Sequence, residues 1–171
     1  TSVVAPTGTL TTCLNNWITG TLNQAFTSFF ATEVELLARS YSVPQLSAGY
    51  QNPAIVNKVI AVIDAFAVDY YANPTTAVST NNFAANGGNE VWGGRFGAFG
   101  WAIHLLADPL QGSLDTVVNY GAAGGNRTRR QAWGDMLVAS RDFGRFNRDG
   151  RAITNQGIIA DSKIYQANRG L

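Results

Sequence analysis

Along most of this chain apolar residues return every three or four positions, the period of an amphipathic helix. Residues Thr1 to Thr11 are small, β-branched and broken by proline, and read as an extended lead-in. From there Leu14, Trp17, Ile18, Leu22, Phe26, Phe29, Phe30, Val34 and Leu37 keep the helical period, which predicts a first helix ending near Tyr41, before Pro44. Gly20 marks a possible kink, because glycine costs about 1 kcal/mol relative to alanine inside a helix.

A second helix is predicted to begin at Asn52-Pro53, an asparagine cap followed by proline at the first helical position. Its stripe is Ile55, Val56, Val59, Ile60, Ile63, Phe66 and Tyr70, and its other face is small (Ala54, Ala61, Ala65, Ala67), so it should be contacted on both sides. The β-branched content would also suit a buried strand, but roughly nineteen residues is too long for a strand of ~5–6. Asn73-Pro74 should end it.

Thr75 to Asn89 is a polar, asparagine- and glycine-rich loop, of the kind that covers a cleft or is simply solvated. Glu90 to Ala107 returns to helical spacing through Val91, Trp92, Phe96, Phe99, Ile103 and Leu106, with Gly93, Gly94, Gly97 and Gly100 thinning one side. Asp108-Pro109 should close that helix. A shorter one is expected over Leu110 to Tyr120, a turn over Gly121 to Gly125, and then a basic, aromatic helix with Arg127, Arg129, Arg130, Trp133, Arg141, Phe143, Arg145 and Phe146. After a break at Asp149-Gly150, a polar helix carries Thr154, Asn155, Gln156, Asp161, Tyr165, Asn168 and Arg169. No segment alternates at period two, and no Asn-Gly or Asp-Gly turn lies between strand-like runs. The expected class is all-α, in antiparallel helix pairs joined by glycine- and proline-rich loops.

The 171 residues have the size of one domain, 46% hydrophobic and only 13% charged, against roughly 25% charged in an average domain. Apolar positions wrap much of each helix, and such faces must be covered. The expectation is therefore a single helical domain that forms part of a larger helical body, completed by a second polypeptide or by further sequence; a compact homo-oligomer is the alternative. A net charge of +1 gives no global field for nucleic acid or an anionic membrane, and neither is an expected partner. Cys13 is alone, which excludes an intrachain disulfide and a cysteine-based zinc site. With His104 the one histidine, a histidine metal site within this chain is not expected either, and no metal or cofactor is assigned. Asn126-Arg127-Thr128 is a glycosylation sequon, which fits an extracellular, secreted protein, as does a start at Thr1 without methionine, consistent with a removed leader.

Candidate chemistry gathers in two runs. In Asn89-Glu90-Val91-Trp92-Gly93-Gly94-Arg95, Trp92 could stack on a sugar ring while Asn89 and Arg95 supply hydrogen bonds and charge; the plain alternative is a cap, a core tryptophan and a surface arginine. In the run from Thr154, Asn155 and Gln156 could hydrogen-bond a uronate carboxylate in an oxyanion-type role, and Tyr165 could supply a phenol for acid–base work; the alternative is capping and a hydrated face. His104 reads as a core or interface histidine, or as a general base. The arginine run after Gly125 reads as anion or carbohydrate contact, or as ordinary salt bridges. Asp135 and Asp142, seven apart on one helix face, are an example by residue type of the carboxylate pair that glycoside hydrolysis needs, at a spacing that any exposed helix equally shows.

The turn Gly124-Gly125-Asn126-Arg127, the Arg/Trp helix after it and the run T-N-Q-G-I-I-A-D-S-K-I-Y-Q-A-N-R-G-L from Thr154 resemble helices of the (α/α)-toroid polysaccharide lyases, relatives of the chondroitin, hyaluronan, alginate and heparin lyases. The resemblance covers the last third of the chain and, more loosely, the tryptophan helix from Glu90 to Leu106. It implies the N-terminal portion of an incomplete toroid and β-elimination on an acidic polysaccharide or oligosaccharide. In such lyases an asparagine neutralises the uronate carboxylate and a tyrosine or histidine takes the C5 proton. Asn155 and Tyr165 are the matching residue types here, as catalytic residues, with Asn89, Trp92, Arg95 and Gln156 binding substrate; no matching histidine motif accompanies them. Glycoside hydrolysis is the runner-up reaction. The competing readings are a non-enzymatic, coat-like helical assembly subunit and a carbohydrate-binding helical module.

Overall fold

A computed structural model of the chain describes residues 28–46, 48–74, 94–147 and 169–170. Among these, six helices and two short strands follow in the order α1 (Ser28–Tyr41), α2 (Pro53–Ala72), α3 (Gly94–Leu105), α4 (Ala107–Leu114), β1 (Val117–Asn119), α5 (Gly121–Gly124), β2 (Asn126–Thr128) and α6 (Arg129–Asn147). The described part is mostly helical, as the periodicity predicts.

The start of α2 follows the local rules. Asn52, in extended backbone, accepts a hydrogen bond on Oδ1 from the Ala54 amide (2.9 Å) and donates through Nδ2 to the Ala48 carbonyl (2.9 Å), with Pro53 opening the helix. One orphan amide of the first turn is thereby satisfied. The buried stripe is Ile55, Val56, Val59, Val62, Ile63, Phe66 and Ala67. Ile60 is only half-buried, and Ala67, from the small face, is fully covered. The rest of the small face is not covered as expected: Ala54 and Ala65 are half-buried and Ala61 is exposed, and the helix packs on α1, α5 and α6.

The core is a single cluster drawn from α1, α2, α3, α4 and α6, with Tyr120 from the loop before α5. Val34, Ile55, Ile63, Phe99, Leu106, Leu110, Tyr120, Trp133, Met136 and Leu137 are its largest fully buried side chains. Each buried aliphatic or phenyl group contributes about 1.5–3 kcal/mol relative to exposure. Phe66 of α2 meets Phe99 of α3 edge-on, with ring centroids 4.6 Å apart, an arrangement favoured by the aromatic quadrupole.

Two expectations are corrected. Asp108-Pro109 does not close the third helix. The chain turns at Leu106 and α4 begins at Ala107, so Pro109 sits in a first turn, where its missing amide costs nothing. The segment expected to stay helical to Tyr120 stops at Leu114 and becomes β1, which pairs antiparallel with β2 in the register Val117–Thr128, Val118–Arg127, Asn119–Asn126. Three-residue strands reading V-V-N and N-R-T are too short to carry a period-two signal. Gly121 (φ 80°) and Gly125 (φ 63°) supply the left-handed backbone that closes this hairpin around α5, and the Tyr120 amide donates to the Gly125 carbonyl across it (2.9 Å).

Candidate functional site

The entry to α6 is built by a capping box. Thr128 Oγ1 accepts from the Gln131 amide and Gln131 Oε1 accepts from the Thr128 amide, both at 3.2 Å. This fixes Arg127 at the end of the hairpin and puts Arg129 and Arg130 in the first helical turn. Cations there oppose the helix dipole, and each arginine is met by a carboxylate from a different place in the chain.

Arg129 Nε donates to Asp64 Oδ2 of α2 at 2.8 Å, and both side chains are 17% exposed. Asp64 Oδ1 also accepts from the Tyr120 hydroxyl (2.7 Å) and from Trp133 Nε1 (2.9 Å). Burial and then the hydrogen bond to this carboxylate push the Tyr120 phenol well above the usual tyrosine range. Every member of this network has its partners, and it ties α2, the hairpin and α6 together. On the surface, Arg130 takes Asp115 bidentately (2.9 and 3.3 Å), which holds the Asp115 carboxyl below its ordinary range.

Arg127 is held differently. Nε donates to the Gly124 carbonyl (2.7 Å), and the guanidinium lies over the Tyr71 ring at 4.9 Å from its centroid. Its Nη1 is 3.6 Å from Asp135 Oδ2, beyond hydrogen-bond reach, while that oxygen accepts from the Tyr71 hydroxyl at 2.7 Å. Burial, with the hydrogen bond to Asp135 next, raises the Tyr71 phenol strongly; burial and the Asp135 charge raise Tyr70 as well. The arginine run thus makes salt bridges first of all, the plainer of its two sequence readings.

A second cluster lies on α3. Arg169 Nη2 is 2.6 Å from His104 Nε2. A guanidinium has donors only, so in this contact His104 accepts through Nε2. The Trp101 ring stacks obliquely on His104 (5.4 Å) and lies under Arg39 (5.7 Å), which is itself paired with Glu35. Next to Arg169, Gly170 is packed so tightly that a Cβ built there would come 2.5 Å from Gly100 Cα and 2.9 Å from the Gly100 carbonyl oxygen. Trp101 Nε1 is buried without a hydrogen-bond partner among the described residues.

Of the residues singled out by sequence, Asn89, Trp92, Asn155, Gln156 and Tyr165 lie outside the described residues, and Arg95 is placed by backbone alone, in the first turn of α3. His104 is half-buried and paired, Trp101 is half-buried, and Trp133 is core. Asp135 and Asp142 are each beside an arginine, Asp142 accepting from Arg141 Nε at 2.8 Å. Asp64, Tyr71 and Tyr120 carry no motif. The one available hint was a carboxylate set inside the apolar run V-I-D-A-F, because a charge there must find partners.

A pocket of about 70 Å³ opens beside these elements, lined by Ile103, Leu114, Arg130, Trp133, Gly134 and Gly170. It is small beside the roughly 300–1,000 Å³ of pockets that enclose a drug-sized ligand. Among the described residues no group of histidine, cysteine and acidic side chains could hold a metal ion, and no helix is long and apolar enough to cross a membrane. No protein-family model, no curated protein and no solved structure matches this chain.

Proposed function

We propose that this chain is the helical part of a secreted carbohydrate-active enzyme that cleaves a uronate-containing polysaccharide by β-elimination. One observation carries the reading. The run that holds Asn155, Gln156 and Tyr165 ends at Arg169-Gly170, and those two residues dock on His104 and Gly100 of α3. That same helix follows directly on Asn89 and Trp92 and holds Arg95 in its first turn. The two runs with site chemistry therefore lead to one helix, although more than fifty positions separate them in sequence.

The reaction needs a base to take the C5 proton, neutralisation of the C6 carboxylate so that the carbanion is tolerated, and protonation of the oxygen leaving C4 as the C4–C5 double bond forms. In this reading Tyr165, as the phenolate, takes the C5 proton and the phenol so formed gives it to the oxygen leaving C4, while Asn155 and Gln156 hydrogen-bond the carboxylate as charge develops on it. Trp92 stacks on the pyranose, and Asn89 and Arg95 orient the chain of sugars. Tyr70, Tyr71 and Tyr120 are poor candidates for the base, since all three phenols are pushed upward and two of them already donate to carboxylates. The exposed position of Asn126 in its sequon is compatible with secretion.

The test is incubation with a panel of uronate polymers and neutral polymers, following the ultraviolet absorbance of the conjugated product. The reading expects product from at least one uronate polymer and none from neutral glycans. Binding without product from every uronate polymer would leave a carbohydrate-binding module in its place.

A further inference from the structure

We infer that Arg127, Tyr71 and Asp135 form a second saccharide subsite, away from the α3 cluster, that takes the carboxylate and an adjacent hydroxyl of a uronate residue. Of the three arginines at the hairpin and the start of α6, Arg129 and Arg130 spend their forks on hydrogen bonds to Asp64 and Asp115. Arg127 does not. Its Nε is anchored to the Gly124 carbonyl and its Cζ lies over the Tyr71 ring, while Nη1 faces Asp135 at 3.6 Å and Nη2 has no hydrogen-bond partner among the described residues. The side chain is 41% exposed. A planar fork held on one edge and open on the other is suited to bidentate capture of a carboxylate. Little side-chain entropy remains to be lost, because the anchor and the stack have already fixed it.

Asp135 decides the ligand class. Its Oδ2 is occupied by the Tyr71 hydroxyl, and the side chain is 50% exposed, so its other oxygen can accept from a ligand hydroxyl. Any anion on this fork, a uronate carboxylate or a free inorganic anion, meets the Asp135 charge as a repulsive neighbour, and only a ligand with a hydroxyl for Asp135 to accept from offsets that repulsion. A uronate carries its carboxylate and ring hydroxyls on one pyranose, and satisfies both groups. The half-buried Tyr70, edge-on to Tyr71 with centroids 5.1 Å apart, extends the aromatic surface beside the fork. The inference rests on the acidic-saccharide reading above for its ligand, but not on the elimination chemistry or on any residue assigned to it.

The experiment is calorimetric titration of the Tyr165→Phe protein with a hyaluronan-derived hexasaccharide, cellohexaose and sodium sulfate, repeated with Arg127→Lys, Arg127→Gln and Asp135→Asn added. Binding of the uronate hexasaccharide should weaken tenfold or more with either arginine variant and several-fold with Asp135→Asn, with melting curves that stay cooperative. Lysine keeps the charge and loses the fork, so an Arg127→Lys affinity equal to the parent would overturn the bidentate site. Equal binding of cellohexaose, or tighter binding of sulfate in Asp135→Asn with no change for the hexasaccharide, would also overturn it. The two proposals fail separately: turnover of uronate polymers with hexasaccharide affinity indifferent to Arg127 removes this subsite alone, and Arg127-dependent binding without turnover by the parent chain removes the lyase reading alone.

Discussion

Asp64 and Arg129 stand 2.8 Å apart, although 65 positions separate them in the chain. That contact joins the middle of an apolar helix to the first turn of a basic one, and Tyr120 and Trp133 complete it from two further positions. Removing Asp64 leaves the Arg129 charge without its carboxylate, with only the Ser113 carbonyl (3.3 Å) still accepting from it, in a place where both side chains are mostly covered. Asp64→Ala should therefore cost about 3–5 kcal/mol, measured as a shift in urea midpoint at constant slope. Asp64→Asn, which keeps one acceptor oxygen, should fall between it and the parent. A loss below about 1 kcal/mol for the alanine variant, the range of exposed pairs, would show that the network is not structural.

Two glycines on either side of this network should respond in opposite ways. A Cβ on Gly124 would sit 2.6 Å from Tyr120 Cβ and 2.8 Å from the Tyr71 ring, so Gly124→Ala overpacks a fixed contact and should destabilise by about 1–3 kcal/mol. Gly134, inside α6, has nothing within 4 Å of the same construction, and Gly134→Ala should stabilise by about 0.5–1 kcal/mol through helix propensity. Thermal melts of both variants check the sign.

Alkaline pH gives a third prediction. Tyr71 and Tyr120 have folded-state pKa values raised above the ordinary tyrosine value of about 10. Their contribution is fully present below that pH. Above it the unfolded chain releases phenolic protons that the folded chain keeps, so stability falls by about 1.4 kcal/mol per pH unit for each such group. Denaturant midpoints measured across this range should decline, and Tyr120→Phe should flatten the slope. Phenolate absorbance of the folded protein should lag behind that of the denatured one.

Gly170→Ala probes the docking of the last described residues. The clash is with backbone atoms of Gly100, which cannot swing aside as a side chain can. The variant should keep its helical circular dichroism while turnover of the uronate polymer drops tenfold or more, because the run carrying Tyr165 ends on this contact. Unchanged turnover would separate the site from the docking.

The long helices were legible because their signals are local. Asn52-Pro53 announced the start of α2, and the three-to-four spacing from Ile55 to Phe66 gave its buried face. Thr128 and Gln131 form a capping box that is plain in the letters T-R-R-Q once it is looked for. The hairpin was not legible, because its strands are three residues each and depend on two left-handed glycines. Nor was the partnering of the arginines. A sequence shows that Arg127, Arg129 and Arg130 lie close together, but Asp64 and Asp115 reach Arg129 and Arg130 through tertiary packing. The site residues read from Asn89 to Arg95 and from Asn155 to Tyr165 stand as chemistry by residue type, and all but the backbone of Arg95 lie outside the described residues.

The most direct test of the proposed site compares two tyrosine variants on a uronate polymer, by initial rate of ultraviolet product formation. Tyr165→Phe removes the proposed base and should lower kcat by two orders of magnitude or more with little change in KM. Tyr71→Phe removes a phenol that is held on Asp135 with its proton retained, and should leave kcat within a few-fold of the parent. Retained kcat in Tyr165→Phe, or loss in Tyr71→Phe alone, would contradict the account and move the chemistry to the Arg127 face.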